Sequence, residues 1–526
     1  MNLTRNVYSV LDRSAEASYG GKHAITFGGQ SRTFVALRER ALRLAAGLQR
    51  HGVKPRDRVA VMLANGHEWP EVLFGLAAVN AVCVPVNVLL TGPEIAHVCA
   101  DSHARWLIVD KRGEEGLAGL GSLPDTVITV GEVEVPAGCR TLSYERLLNE
   151  SAGQNIRHGA ALEDDFILYY SSGTTGLPKA AVHTHNGVLW NSFAQVSDLR
   201  LSRDVVYVVV ASLSWAAGFH NLMLALSWIG GRSVLMPTGG LTPDRLMTTI
   251  EREGGTHTML VPSLLRQFTD DRAILERMRR STLRWVLTGA EPVPRPLIEL
   301  INDELPNCTV CQGYGLSEFP TIATLLVPEE ALAHHGSAGR PLSHTQAAIR
   351  TDEGELAASG MGELLIRSPA TMQGYHNRPV QTREAFTDGW LNTGDVAMID
   401  ADGFVSIVGR TKDMIISGAL NVYPKEIEDV INRLPGVDEA AVVGVPDERF
   451  GEAPVAIIVR RPGAELDVAL VQAACRDQLA SYKRPRAVLV RDDPLPRNPT
   501  GKILKRALRP WAANELANAS DVMRGR

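Results

Sequence analysis

Short apolar runs recur along the N-terminal part of the chain, and stretches with helical spacing separate them. RVAVML (58–63), AVCVPV (81–86), ARWLIVD (104–110), FILYY (166–170), VVYVVVA (205–211), SVLMP (233–237), HTMLV (257–261) and LRWVLTG (283–289) are each too short for a helix. Runs of this length without polar alternation read as strands buried on both faces. Segments 35–52 and 67–80 carry apolar residues at helical spacing. Strands and helices in alternation predict an α/β protein with mostly parallel, doubly wound sheets. At about 150 residues per domain, 526 residues are enough for several units and a large core.

The texture changes near Gly336. GELLIRS and GFVSIVG, set among Gly, Pro and Asp, predict a small antiparallel, barrel-like β unit. Beyond Arg410, EIEDVINRL (426–434) predicts an amphipathic helix, and EAAVVGVP, VAIIVRR and AVLVRDDPLP predict strands, so the last part reads as a compact α+β domain. The longest apolar stretch, Val72 to Leu90, is interrupted by Gly75, Asn80, Pro85 and Asn87. It predicts a buried helix, a turn and a strand, not a membrane span. The first residues lack the apolar core of a signal peptide. Six cysteines are too few for a disulfide framework, and the C-x2-C of Cys308 and Cys311 has no second pair to complete a zinc site. A reducing cytoplasm is the expected compartment.

A net charge of −5 with 21% charged residues argues against nucleic acid as the main partner. Charge is uneven, however. From Lys483 to Arg509 there are nine basic residues against two acids, Asp492 and Asp493. Such a run is either a solvated face or a surface that meets phosphates.

The strongest local signal is Tyr169-Tyr170-Ser171-Ser172-Gly173-Thr174-Thr175-Gly176-Leu177-Pro178-Lys179, directly after an apolar strand. Its glycines allow sharp turns that bring backbone N–H groups toward an anion. Its hydroxyls add donors, and Lys179 adds a mobile charge suited to phosphate. The spacing is not that of the common G-x4-G-K-[ST] loop.

This segment resembles the signature loop of the adenylate-forming superfamily, which includes acyl-CoA synthetases. Further motifs follow in the family's order: Thr288-Gly289-Ala290-Glu291-Pro292, Gln312-Gly313-Tyr314-Gly315-Leu316-Ser317-Glu318, Gly389-Trp390-Leu391-Asn392-Thr393-Gly394-Asp395, Gly409-Arg410-Thr411-Lys412-Asp413 and Pro499-Thr500-Gly501-Lys502. The resemblance implies a large adenylation domain over 1–409, with the β-rich subdomain at about 336–409. It implies a hinge at 410–413 centred on Lys412, and a small mobile domain over 414–526. It also implies ATP, Mg²⁺ and CoA as the molecules handled together with a carboxylic acid. Nucleic acid and a transmembrane segment are not expected, and the oligomeric state is left open between monomer and homodimer.

By the same resemblance, Ser171, Ser172, Gly173, Thr174, Thr175, Gly176 and Lys179 embrace the β- and γ-phosphates, and Glu318 holds the metal. Gly289, Ala290, Glu291, Gln312, Gly313, Tyr314 and Gly315 wall the adenine. Ser317 keeps a hydroxyl where the family more often has Thr. Asp395 takes the ribose hydroxyls and Arg410 contacts ribose or phosphate. Lys502 bridges the substrate carboxylate and the α-phosphate, which makes Lys502, Glu318 and Lys179 the expected catalytic group. Gly418, within ISGALNVYPKEIE, would line the pantetheine tunnel, and this wording favours a CoA ligase over an enzyme loading a separate carrier protein. In the expected acyl pocket, Trp215, Gly218 and Phe219, Trp215 stands where many relatives have His, and it either bounds the pocket or packs in the core. The apolar texture of 213–226 favours an aliphatic or aromatic acid.

Overall fold

The computed structural model describes residues 6–524 apart from 119, 121–123, 154–155, 157–159, 172–177, 290, 292, 352, 418–419, 448 and 498–502; for Ala118, Ser171 and 518–524 it describes the backbone alone. The chain forms two compact units. One comprises 1–347, 366–392 and 402–405, and the other 348–365, 393–401 and 406–526.

The first unit is built on two large sheets. In the eight-stranded sheet the spatial order is Gly374–Tyr375, Lys179–Thr184, Asp165–Ser171, Val82–Pro85, Arg58–Met62, Trp106–Asp110, Thr126–Val130 and Arg140–Ser143. The nine-stranded sheet runs Arg340–Pro341, Phe319–Leu326, Thr309–Leu316, Trp285–Gly289, His257–Met259, Val206–Val209, Arg232–Leu235, His23–Phe27 and Gln30–Thr33. Both are parallel through their middle, as the apolar runs predict. Antiparallel hairpins flank them.

Parallel strands need helical crossovers, and helices cover the sheets. Helix Phe34–His51 starts at Thr33, whose side chain accepts from Ala36 N, and stops at Gly52, which has φ +108°. It packs against Glu68–Ala78, a helix buried on nearly every side. Asn80 turns at φ +58° into strand Val82–Pro85. The long apolar stretch is therefore helix, turn and strand. Among the described residues no helix is long and apolar enough to cross a membrane.

A six-stranded sheet spans Gln346–Arg350 to Val405–Arg410, the expected half-barrel. The C-terminal part carries a five-stranded sheet in which Gly451–Arg460 is central, with Pro424–Ile431, Val468–Gln478 and Lys505–Arg524 as helices. This is the α+β layer read from the sequence.

Candidate active site

Two flanking hairpins of the first unit carry two of the motifs. Strand Asp165–Ser171 enters the phosphate-loop segment and the chain returns as Lys179–Thr184, with Ser171 opposite Lys179 and Tyr170 opposite Ala180. The ladder thus pins Lys179 at the base of that segment, while Ser172, Gly173, Thr174, Thr175 and Gly176 lie outside the described residues. In the other sheet, strands Thr309–Leu316 and Phe319–Leu326 pair with Leu316 opposite Phe319. Ser317 and Glu318 are the two residues of the turn.

The two hairpins meet. His183 Nε2–H donates to the Ser317 carbonyl at 2.7 Å, and Met372 N–H donates to the Glu318 carbonyl at 2.9 Å. Met372 leads into the short strand Gly374–Tyr375, where Tyr375 pairs opposite Ala181. The Tyr375 hydroxyl donates to Glu318 Oε1 at 2.8 Å. Lys179 Nζ lies 3.5 Å from the centroid of the same ring, a cation–π contact. Burial lowers the Lys179 pKa from its usual range, and Glu318 and Glu384 oppose that shift. Burial, reinforced by Glu318, pushes the Tyr375 phenol up. Glu318 Oε2 accepts no hydrogen bond among the described residues.

Strand Trp285–Gly289 lies beside Thr309–Leu316 with Thr288 opposite Gln312 and Gly289 opposite Gly313, so the two adenine-wall motifs are neighbours. Glycine is required here. A Cβ on Gly289 would sit 2.5 Å from the Gly313 carbonyl oxygen, and one on Gly315 would sit 1.4 Å from that of Thr321. Tyr314 is half-buried and Glu291 exposed. Gln312 differs from a free pocket residue. Its Oε1 accepts from Val293 N at 2.9 Å and its Nε2 donates to the Ser337 carbonyl at 2.8 Å. Its side chain braces the fold. Ala290 lies outside the described residues.

Trp215 precedes the one-turn helix Ala216–Phe219 and is half-buried. Gly218 has no room for a side chain, since a Cβ would lie 2.2 Å from the Ser212 carbonyl oxygen. Phe219 is wholly buried, with its ring edge-on to Phe74 at 5.9 Å. It packs the core, whereas Trp215 retains an exposed edge.

In the second unit Arg410 Nε pairs with Asp395 Oδ1 at 2.7 Å, and the Asp395 carboxylate is almost wholly buried. Residues Thr411–Asp413 form an exposed single turn that contains Lys412. Strands Ile415–Ser417 and Leu420–Val422 pair on either side of Gly418, which lies outside the described residues. So does Lys502, between the bridged residues Arg497 and Ile503.

Tyr375 was not legible in advance. A Gly-Tyr pair after GELLIRS carries no charge signal, and its partner Glu318 is 57 residues away.

The site and fold define an enzyme class, and comparison with known proteins agrees. The model for AMP-binding enzymes matches residues 11–376, and the model for the AMP-binding enzyme C-terminal domain matches 426–502. This chain belongs to the AMP-binding enzyme family. It is 36% identical over 481 residues to the long-chain-fatty-acid–CoA ligase FadD13 of Mycobacterium tuberculosis, covering 91% of this chain and 92% of that one. It is 35% identical over 491 residues to a feruloyl-CoA synthase of Amycolatopsis sp, covering 92% and 95%. Among solved structures, the anthranilate CoA ligase AuaEII in complex with anthranoyl-AMP superposes with a TM-score of 0.86 at 26% identity, covering 98% of this chain and 99% of that one.

Proposed function

We propose that this enzyme activates a carboxylic acid as its acyl adenylate, releasing pyrophosphate from ATP, and then transfers the acyl group to CoA. The observation that carries this reading is the convergence of Lys179, Glu318 and Tyr375 at the meeting point of two motif hairpins, in a chain of the AMP-binding family. The acid we propose is apolar, aliphatic or aromatic, with Trp215 at its end of the cleft. We place the activity in the cytoplasm.

The chemistry accounts for the residue types. A carboxylate is a poor electrophile, and its attack on ATP gathers negative charge at the α-phosphate. Catalysis is then mainly positioning and positive charge. The loop from Ser171 to Lys179 holds the terminal phosphates. The glycine-lined strands at Gly289 and Gly313, with Tyr314, take the adenine, and Asp395 with Arg410 takes the ribose. Glu318 fits Mg²⁺, because a half-buried carboxylate with one oxygen uncommitted among the described residues is a hard ligand that leaves room for water and phosphate oxygens. Bound magnesium would neutralise phosphate charge. Lys502 bridges the attacking carboxylate and the α-phosphate. Lys412 is the pivot about which the small domain turns, and Gly418 lines the path of the pantetheine arm.

The test is a panel of carboxylic acids with ATP, Mg²⁺ and CoA, following AMP and thioester. Lys502→Ala should abolish adenylate formation while sparing thioester formation from a supplied acyl adenylate. Equal loss of both half-reactions would mean that Lys502 does not serve the adenylation step alone. Acyl transfer to a phosphopantetheinyl protein with little CoA turnover would replace CoA as acceptor.

A further inference from the structure

We infer that Tyr375 is a positioning residue, which sets the Glu318 carboxylate for its metal and holds Lys179 beside it until nucleotide arrives. The inference deepens the proposed function and rests on the assignment of Glu318 as the metal-facing carboxylate.

Three observations support it. The phenol donates to one carboxylate oxygen of Glu318, at 2.8 Å, and the other oxygen has no partner among the described residues. A carboxylate held through one oxygen has lost its rotational freedom while keeping the second oxygen available to a cation. The same ring lies under the Lys179 ammonium at 3.5 Å. One side chain therefore separates a positive and a negative group that would otherwise close on each other and mask both from Mg-ATP. Finally, Tyr375 is fixed by a neighbouring strand and by the helix Pro379–Glu384. Its own strand pairs with Lys179–Thr184, and its amide donates to Thr382 Oγ1 at 2.9 Å. A Cβ on the preceding residue, Gly374 (φ +156°), would meet Thr382 Cγ2 at 2.5 Å, so the approach of this segment is close.

The ring and the hydroxyl do separable work. Tyr375→Phe removes the hydrogen bond and keeps the ring under Lys179. It should weaken Mg-ATP binding about tenfold, or about 1.4 kcal/mol, and raise the Mg²⁺ concentration needed for half-maximal pyrophosphate exchange. ATP binding without Mg²⁺ should change less than about twofold.

The decisive experiment is a double-mutant cycle on ATP affinity, measured by calorimetry with and without Mg²⁺, for wild type, Tyr375→Phe, Glu318→Gln and the double variant. If Tyr375 acts through Glu318, the Mg²⁺-dependent gain in affinity is reduced in Tyr375→Phe, and adding Tyr375→Phe to Glu318→Gln changes nothing further. Melting curves accompany each variant. Equal weakening of ATP binding with and without Mg²⁺, an undiminished Mg²⁺ gain in Tyr375→Phe, or the same loss in both Glu318 backgrounds would each overturn the inference. Failure of the underlying assignment looks different: Glu318→Gln itself would then keep the full Mg²⁺ gain.

Discussion

The first unit contains two clusters of the same composition, a glutamate, a tyrosine and arginine or lysine, and they are finished differently. Around Glu71, in helix Glu68–Ala78, both carboxylate oxygens are committed. The carboxylate is 0% exposed, its Oε1 accepts from Arg40 Nε at 2.7 Å and pairs with Arg32 Nη1 at 3.0 Å, and its Oε2 accepts from the Tyr144 hydroxyl at 2.8 Å. Around Glu318 the tyrosine bond has the same length, yet the lysine sits over the ring and one oxygen has no partner among the described residues. A buried ion cluster that serves the fold must satisfy every lone pair, because an unpaired buried charge is costly. One that serves a ligand stays near solvent and keeps capacity in reserve.

The sharpest way to break this contrast is to remove each carboxylate. Glu71→Ala takes from Arg32 and Arg40 the carboxylate they share, leaving Arg40 its Glu145 partner, and should cost about 3 kcal/mol of stability, read from denaturant unfolding. Glu318→Gln should leave the unfolding midpoint nearly unchanged. It should slow pyrophosphate exchange at least about a hundredfold, equivalent to about 2.7 kcal/mol of barrier. The contrast fails if the two variants exchange these signatures.

Acid should separate the clusters next. His183, whose Nε2 holds the Ser317 carbonyl, is buried beside Tyr169 (6.0 Å between ring centroids). Burial pushes its pKa down from 6.5 to about 4, against the opposing pull of the Ser317 carbonyl. A histidine whose folded pKa is depressed is neutral in the native state and charges on unfolding. Its stabilisation is complete above the unfolded pKa near 6.5 and is lost as pH falls toward about 4. The loss is on the order of 3 kcal/mol from this residue. Glu71 has the opposite sign: burial raises its pKa, so protonation favours the folded form. Wild type should therefore weaken between pH 6.5 and 4, and His183→Gln should show a shallower loss over that window. An equal slope in both proteins would take His183 out of the acid response.

Much of this was readable in the sequence, and the exceptions share a cause. The central strands announced themselves because burial on both faces demands unbroken apolar runs: 58–63 became Arg58–Met62, and 166–170 became Asp165–Ser171. The edge strand Gln30–Thr33 gave no such signal, since its residues QSRT are all polar and none is fully buried. The phosphate-loop motif pointed to Lys179, but nothing in it foretold that a ladder would pin that lysine opposite Ser171. Nothing in the sequence singles out Glu71, because Arg40 and Tyr144 lie 31 and 73 residues away. Tyr375 was missed for the same reason. Long-range hydrogen bonds between single side chains leave no periodicity.

The smallest expected effect compares the two tyrosine hydroxyls directly. Each donates at 2.8 Å to a glutamate oxygen, so a geometric account would give Tyr144→Phe and Tyr375→Phe the same cost. Environment should divide them. Tyr144 is wholly buried, and removing its hydroxyl strands Glu71 Oε2 where water cannot follow. A hydrogen bond to a charged group under those conditions is worth about 1.5–3 kcal/mol, and Tyr144→Phe should lose about that much stability. Tyr375 and Glu318 are half-buried, so water replaces the lost donor. Its removal should cost under about 1 kcal/mol of stability and appear in Mg-ATP affinity instead. Unfolding curves for both variants, beside nucleotide titrations, decide it. Equal stability losses would mean that the Glu318 cluster is as much a part of the core as the Glu71 cluster, and that its uncommitted oxygen is incidental to binding.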